Sequence, residues 1–251
     1  MATPRTFRTD AIVLRVLDFA ETSQVVHLAT PERGLVAAIA KGGHGLKGAF
    51  QGGVPLGVLG EAECVPRRGG DLDVLRSFRV TDGLRGLHDD LDRYAAGSYV
   101  LSLLRDLVRP DLEAAAIFRA GATSLKAIAA SPPESAPTWV AVFEARALAA
   151  AGHRPHLSSC VVCADEIETR AVFSPAAGGL AHARCAPAGP RALLDASAVA
   201  ALRRLYAARL AEIASEPPTS RDIRAVRAVH DLFVPWVLER EPRALRAVPR
   251  R

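Results

Sequence analysis

A chain of 251 residues, 49% apolar and 24% charged, can bury one large core or two to three small ones, and its composition excludes wholesale disorder. No run of about 18 apolar residues offers a membrane span. The basic start "MATPRTFRTDAIVLRVLDF" lacks the apolar block and cleavage site of a signal peptide, so a cytoplasmic protein is expected. The net charge of +5 is carried by arginine, with Lys41, Lys47 and Lys126 the only lysines. Guanidinium suits phosphate, because it stays charged and donates paired hydrogen bonds. A GC-rich genome gives the same bias, so the charge permits a nucleic-acid partner without establishing one.

Residues 7 to 80 read as β structure. "AIVLRVLDF" (11–19), "SQVVHLAT" (23–30), "GLVAAIAKG" (34–42), "VPLGVLGEAECVP" (54–66) and "DLDVLRSFRV" (71–80) are short, partly alternating, and separated by glycine, proline and polar turns. Five such strands in succession predict a small closed or half-closed barrel. From residue 82 the period becomes helical. "LHDDLDRYAAGSYVLSLLRDLV" (87–108) is stopped by Pro110, and its Asp89, Asp90 and Asp92 suit a first helical turn. "DLEAAAIFRAGATSLKAIAA" (111–130) and "TWVAVFEARALAAAG" (138–152) follow, then "DASAVAALRRLYAARLAEIA" (195–214) and "TSRDIRAVRAVHDLFVPWVLER" (219–240), which Pro235 is expected to bend.

Between the third and fourth helices lies "CVVCADEIETRAVFSPAAGGLAHARC" (160–185). Zinc takes four tetrahedral ligands from thiolate and imidazole, and two tight pairs on separate turns supply them with little strain. Cys160 and Cys163 form one pair with two residues between them; His182 and Cys185 form the other. "TRAVF" and "GGLAHARC" would be two strands, with Gly178 and Gly179 easing the turn: a zinc-ribbon layout. A redox pair at Cys160 and Cys163 is the rival reading, but its thioredoxin-like βαβ setting is missing. His153 and His156 are competing ligands without the mirror-image spacing. Four protein ligands leave no open position, so the expected zinc is single and structural. Cys64, in an alternating apolar segment, reads as a core residue.

No dinucleotide fingerprint, Walker loop, nucleophile elbow or zinc-protease helix is present, and a non-enzymatic role is expected. "KGGHGLKGAF" (41–50) is glycine-rich but lacks the Gly-Lys-Ser/Thr ending.

The order of parts resembles the bacterial recombination mediator RecO family. The N-terminal likeness lies in "DAIVLRVLDFAETSQVVHLATPERGLVAAIAKGGHGLKG", with its Glu-Thr-Ser turn (21–23), Thr-Pro-Glu-x-Gly turn (30–34) and Ala-Lys-Gly exit (40–42). The second lies in "CVVC…FSPAAGGLAHARC", where His182 stands in for one cysteine of the second pair. The resemblance implies an α+β, multi-domain chain: a five-stranded OB-fold barrel (1–80), an all-helical domain in two parts (81–157 and 191–240), a zinc-ribbon insertion (158–190) and a basic tail (241–251). It also implies DNA repair by binding single- and double-stranded DNA and annealing complementary strands. RecR and single-stranded DNA-binding protein are the implied partners in loading recombinase, with no membrane and no small-molecule substrate, in the cytoplasm at the nucleoid. On an OB groove, cations track the phosphates and aromatics stack on bases. The candidate cations are Arg15, Arg33, Lys41, Lys47, Arg67, Arg68 and Arg76; aromatics are sparse, and Phe19 is expected in the core. The tail adds Arg243, Arg246, Arg250 and Arg251 as a source of non-specific affinity. An adaptor whose β module binds a protein is the alternative, which salt-dependent oligonucleotide binding would separate.

Overall fold

The computed structural model describes residues 6–43, 50, 52–67, 71–167 and 170–240. The chain divides into two compact units, Met1–Ala130 and Ser131–Arg251. The first opens with β1 (Phe7–Phe19), β2 (Ser23–Thr30), β3 (Gly34–Ala40), β4 (Leu59–Val65) and β5 (Asp73–Asp82), which close into a barrel in the order β1-β2-β3-β5-β4. All pairings are antiparallel except β3 with β5. This is the expected OB fold. Period-two alternation fills its interior with Ala11, Val13, Val26, Leu28, Val36, Ala38, Ala62, Cys64 and Leu75. Small residues at four of these positions, Ala11, Ala38, Ala62 and Cys64, suit the narrow lumen of a five-stranded barrel. Cys64 is a core residue, and burial pushes its thiol up to about 12, which keeps it unreactive.

Ile12 and Leu14 point out of the barrel yet are buried. They are covered because α1 (Leu91–Leu107) packs on β1 and α2 (Ala115–Ala130) on β2. The 108–114 connection is stitched to the β2–β3 turn by backbone bonds: Leu35 N–H to Arg109 O (3.1 Å), Asp111 N–H to Arg33 O (3.1 Å) and Ala114 N–H to Pro31 O (2.8 Å). Gly34 sits at φ 62° under this seam, and a β-carbon there would run into the Arg109 carbonyl. Two strands differ most from expectation, while β3 ends at Ala40 and β5 runs two residues later than 71–80. β1 begins at Phe7, and β4 begins only at Leu59, because Gly57 at φ 75° turns the chain before it.

The acidic cluster does open α1. Asp90 is its N-cap, accepting from the N–H groups of Asp92 (2.8 Å) and Arg93 (3.1 Å). Asp90→Ala should therefore cost the first unit about 1 kcal/mol in urea unfolding. An unchanged midpoint would mean that solvent satisfies those donors equally well.

The second unit carries α3 (Ala136–Ala150), β6 (Arg170–Ser174), β7 (Gly179–Ala181), β8 (Ala192–Asp195), α4 (Ala196–Ala207), α5 (Leu210–Ser215) and α6 (Ser220–Leu238). The three strands form a sheet in the order β7-β6-β8, one strand more than the sequence suggested. The single helix expected over 195–214 is broken: Ala208 and Arg209 are extended, and the Arg146 guanidinium of α3 takes the Ala208 carbonyl. That carbonyl is then lost to a continuous helix. Pro235 lies within α6, which continues to Leu238.

α3, α4 and α6 pack around a buried polar network. Glu144, fully buried, accepts from His230 Nδ1 (2.8 Å) and pairs with Arg227 (3.5 Å), which also bonds Asp231 (3.2 Å). Tyr206 Oη meets the other ring nitrogen of His230 at 3.1 Å. Burial first, then the Glu144 charge, raise the Tyr206 phenol well above its ordinary range, so it remains a hydroxyl. Phe173 of β6 meets Phe233 of α6 edge to face, at 5.3 Å between centroids, and seats the small sheet on the helices. Among the described residues, no helix is long and apolar enough to cross a membrane.

Candidate metal centre and nucleic-acid face

The ligand atoms of Cys160, Cys163, His182 and Cys185 all lie within 4.8 Å of one another. Local backbone bonding produces this convergence. Ala164 N–H bonds the Cys160 carbonyl (2.9 Å) and Ala164 itself takes φ 65°, which folds the first pair into a knuckle. Cys185 N–H bonds the His182 carbonyl (2.9 Å) and makes the second. Val161 N–H to Leu180 O (2.8 Å) brings the knuckles together. Gly178 is at φ 74°, as the turn requires; Gly179 serves differently, since a β-carbon there would collide with the His156 backbone that bonds Leu180 N–H (2.9 Å).

His182 turns Nδ1 toward the sulfurs of Cys163 (3.4 Å) and Cys185 (4.0 Å), while Nε2–H donates to the Glu166 carbonyl (3.0 Å). That outer bond fixes the tautomer with its lone pair toward the cluster, as metal-binding imidazoles require. The thiols disagree in charge. Burial raises Cys160, but the N–H groups of Cys163, His182 and Val162 outweigh it and bring this thiol down to about 6. For Cys163, the Asp165 N–H lowers it, whereas burial and the side chains of Cys160, Asp165 and Cys185 carry it up to about 11. One thiolate is welcome and the next is opposed by its neighbours. A bound cation would remove that conflict. Three thiols and an imidazole form a donor set able to hold one metal ion. His156 is engaged elsewhere, with Ser159 (3.0 Å) and Ser158 (3.2 Å).

The barrel's outer face is built by register. Leu17 pairs with Val25, Val25 with Ile39, and Ile39 with Val74, a lateral apolar row across β1, β2, β3 and β5. On one side the next row pairs Arg15 with His27 and His27 with Ala37. On the other side Lys41 and Arg76 each follow the inward-facing pair Ala40–Leu75, so both point outward. Phe19 closes β1 beside them. It is 53% exposed, contrary to its expected place in the core, because Ala20 at φ 56° turns the chain away and leaves the ring at the strand's end. An apolar strip with an exposed aromatic, flanked by cations, is what a stacked base and its phosphates need. In OB folds this face of strands 2 and 3 is where oligonucleotides bind.

The seven candidate cations therefore separate. Arg15, Lys41 and Arg76 share this face and are exposed. Arg67 is exposed on the adjoining β4–β5 loop, its N–H held by Asp73 (3.2 Å). Arg33 stands at the far end of the β2–β3 hairpin, its guanidinium 3.9 Å above the Phe7 ring. Lys47, Arg68 and the basic tail lie outside the described residues. The apolar row was missed in the sequence, although the outward alternation Arg15, Leu17, Phe19 carries its signal.

An OB barrel followed by a helical unit that carries a cysteine and histidine knuckle pair defines the class of protein. Residues 1–84 match the family model described as Recombination protein O N terminal, and residues 88–246 that described as Recombination protein O C terminal. The chain is 39% identical over 218 residues to the DNA repair protein RecO of Anaeromyxobacter sp. (strain K), covering 85% of each chain. It is 36% identical over 214 residues to the RecO of Rhodopirellula baltica, covering 82% of this chain and 74% of that one. With the RecO of Myxococcus xanthus it shares 31% over 229 residues, 90% and 89% of the two chains. The chain belongs to the RecO family and has a role in DNA repair by recombination.

Proposed function

We propose that the chain is a non-enzymatic recombination mediator that binds single- and double-stranded DNA and anneals complementary strands. With RecR it helps load recombinase onto strands coated by single-stranded DNA-binding protein, in the cytoplasm at the nucleoid. The observation that carries the reading is the apolar row Leu17–Val25–Ile39–Val74 between Arg15 and the pair Lys41 and Arg76, with Phe19 exposed beside it. Phosphate contacts dominate, so sequence preference is slight. Arg67 extends the cationic rim, Arg33 contributes from the hairpin's far end, and Lys47 and Arg68 belong to the same proposed DNA-binding set. The four-residue cluster holds one zinc ion, which stabilises a ribbon too small to hold itself together. The working domain plan is a barrel over 1–80, helices over 81–157 and 191–240, the ribbon at 158–190 and the tail at 241–251.

The test is oligonucleotide binding across a salt titration, with strand annealing in parallel. Lys41→Ala with Arg76→Ala should weaken binding to unrelated single strands alike and lower the salt slope by about 1.4, at roughly 0.7 per phosphate. Phe19→Ala should cost about 1–3 kcal/mol with little change in slope. If these variants bind and anneal as wild type does, the barrel face is not the site. Salt-independent or absent DNA binding would instead favour the protein adaptor. Annealing with and without RecR and single-stranded DNA-binding protein tests the partners.

A further inference from the structure

Beyond the apolar row, a second feature of the first unit bears on how this face would hold a phosphate. Arg15 lies directly opposite His27 in the β1–β2 ladder, so the two side chains share the outer face about 5 Å apart at their β-carbons. Arg105, on the last turns of α1, adds its positive charge to the same place. On the β3 side His27 pairs with Ala37, whose methyl group is the smallest side chain a β-carbon allows. Arg15 is exposed, and His27 and Arg105 are half-buried. Among the described residues, no carboxylate pairs with Arg15 or Arg105 and none acts on His27. Three basic groups from β1, β2 and α1 are thus brought together with no acid among them.

A fold gains nothing from such crowding. Like charges at this range repel, and the cost appears at the imidazole, whose pKa is lowered by burial, then by Arg15 and then by Arg105. Elsewhere on the barrel, Arg8 pairs with Glu63 (2.9 Å) and Arg79 with Glu61 (3.3 Å) across the ladder. The acid-free cluster falls at the margin of the apolar row, where a strand stacked on that row must place a phosphate.

We propose that Arg15, His27 and Arg105 form a phosphate subsite for single-stranded DNA, and that His27 takes up a proton when the phosphate docks. The proposal rests on the DNA-binding reading of this face and adds to it a helix residue, a histidine and a pH dependence. The proton comes from solvent and no covalent bond changes. The sign follows from the two states. In the free protein Arg15 and Arg105 disfavour imidazolium; in the complex the phosphate's negative charge offsets them, so the bound pKa exceeds the free one. The added affinity is then complete below the free pKa, which is under the ordinary 6.5, and is lost as pH rises through the bound pKa.

The experiment measures affinity of the full chain for a fluorescent oligothymidylate between pH 5.5 and 8.0 at constant ionic strength. Wild type should bind about tenfold tighter at the acid end, as one unit of pKa change gives. His27→Gln should flatten that profile, losing most of the acid-end gain. Arg105→Gln should weaken binding and lower the salt slope by about 0.7, and Arg105→Lys should restore most of it. Inorganic phosphate, added in place of an equal ionic strength of chloride, distinguishes a free-anion pocket: full displacement of the oligonucleotide at low millimolar phosphate would overturn the nucleic-acid assignment. If Arg105→Gln binds as wild type and His27→Gln keeps the pH profile while Lys41→Ala with Arg76→Ala still weakens binding, the subsite alone is wrong. If all these variants bind alike, the face itself is wrong.

Discussion

Cys160→Ser is expected to strip the protein of its metal and to loosen residues 156–195, whereas wild type purified without chelator should carry one zinc per chain. The buried position of Cys160 makes it the most damaging of the four to replace. Its sulfur also receives the His182 N–H (3.5 Å), so its loss uncouples the two knuckles as well as removing a ligand. Because ligand assembly and local folding are one event in such sites, metal loss should appear as fast amide exchange at Val161, Leu180 and Ala186, whose N–H groups hold the ribbon. Chelation should produce the same exchange pattern in wild type. Cys64→Ser should leave the metal content unchanged, since Cys64 lies inside the barrel. A metal-free protein with full protection in this segment would overturn the assignment.

The second large effect belongs to Glu144. Glu144→Ala should destabilise the second unit by about 3–5 kcal/mol, because Arg227 and His230 would stay buried without their shared acceptor. Glu144→Gln keeps an acceptor for His230 but not the charge facing Arg227, and should fall between. Both tryptophans, Trp139 and Trp236, lie in this unit, so their emission during urea unfolding reports on it. A loss under 1 kcal/mol for the alanine variant would show that water or rearrangement satisfies the network. Exchanging the buried charges together for apolar residues of similar volume should cost far less than removing Glu144 alone.

The parts of this protein that could be read in advance are those whose cause is local. Cys160, Cys163, His182 and Cys185 announce themselves by spacing, since each knuckle is closed by bonds within a few residues. The five strands are visible through alternation, and the Thr30–Gly34 turn through its composition, as Thr30 Oγ1 donates to the Gly34 carbonyl (3.0 Å). What stayed hidden depends on distant partners. The break at Ala208 comes from Arg146, far away in the chain, within a stretch of uniformly good helix formers. β8 has four residues and exists because β6 offers it an edge. The Glu144 network draws one residue from α3, one from α4 and three from α6, each an ordinary polar residue in its own helix. Phe19 was assigned by hydrophobicity, when its position at the end of a strand decides its exposure.

The closing seam of the barrel also sets a schedule. Phe7 pairs with Cys64, and β3 reaches its second neighbour only at Asp73, so the first strand made is among the last to be satisfied. At a synthesis rate of about 5–20 residues per second, the edge of β1 that receives β4 must wait several seconds for its partner. Only the β1–β2–β3 meander, joined by short turns, can form meanwhile, and it presents two open edges until β4 and β5 arrive. Non-local closure of this kind is slow even for a released chain. Once complete, the ring offers no edge for another chain to extend, so the barrel's exposure to misassembly ends when β4 and β5 dock.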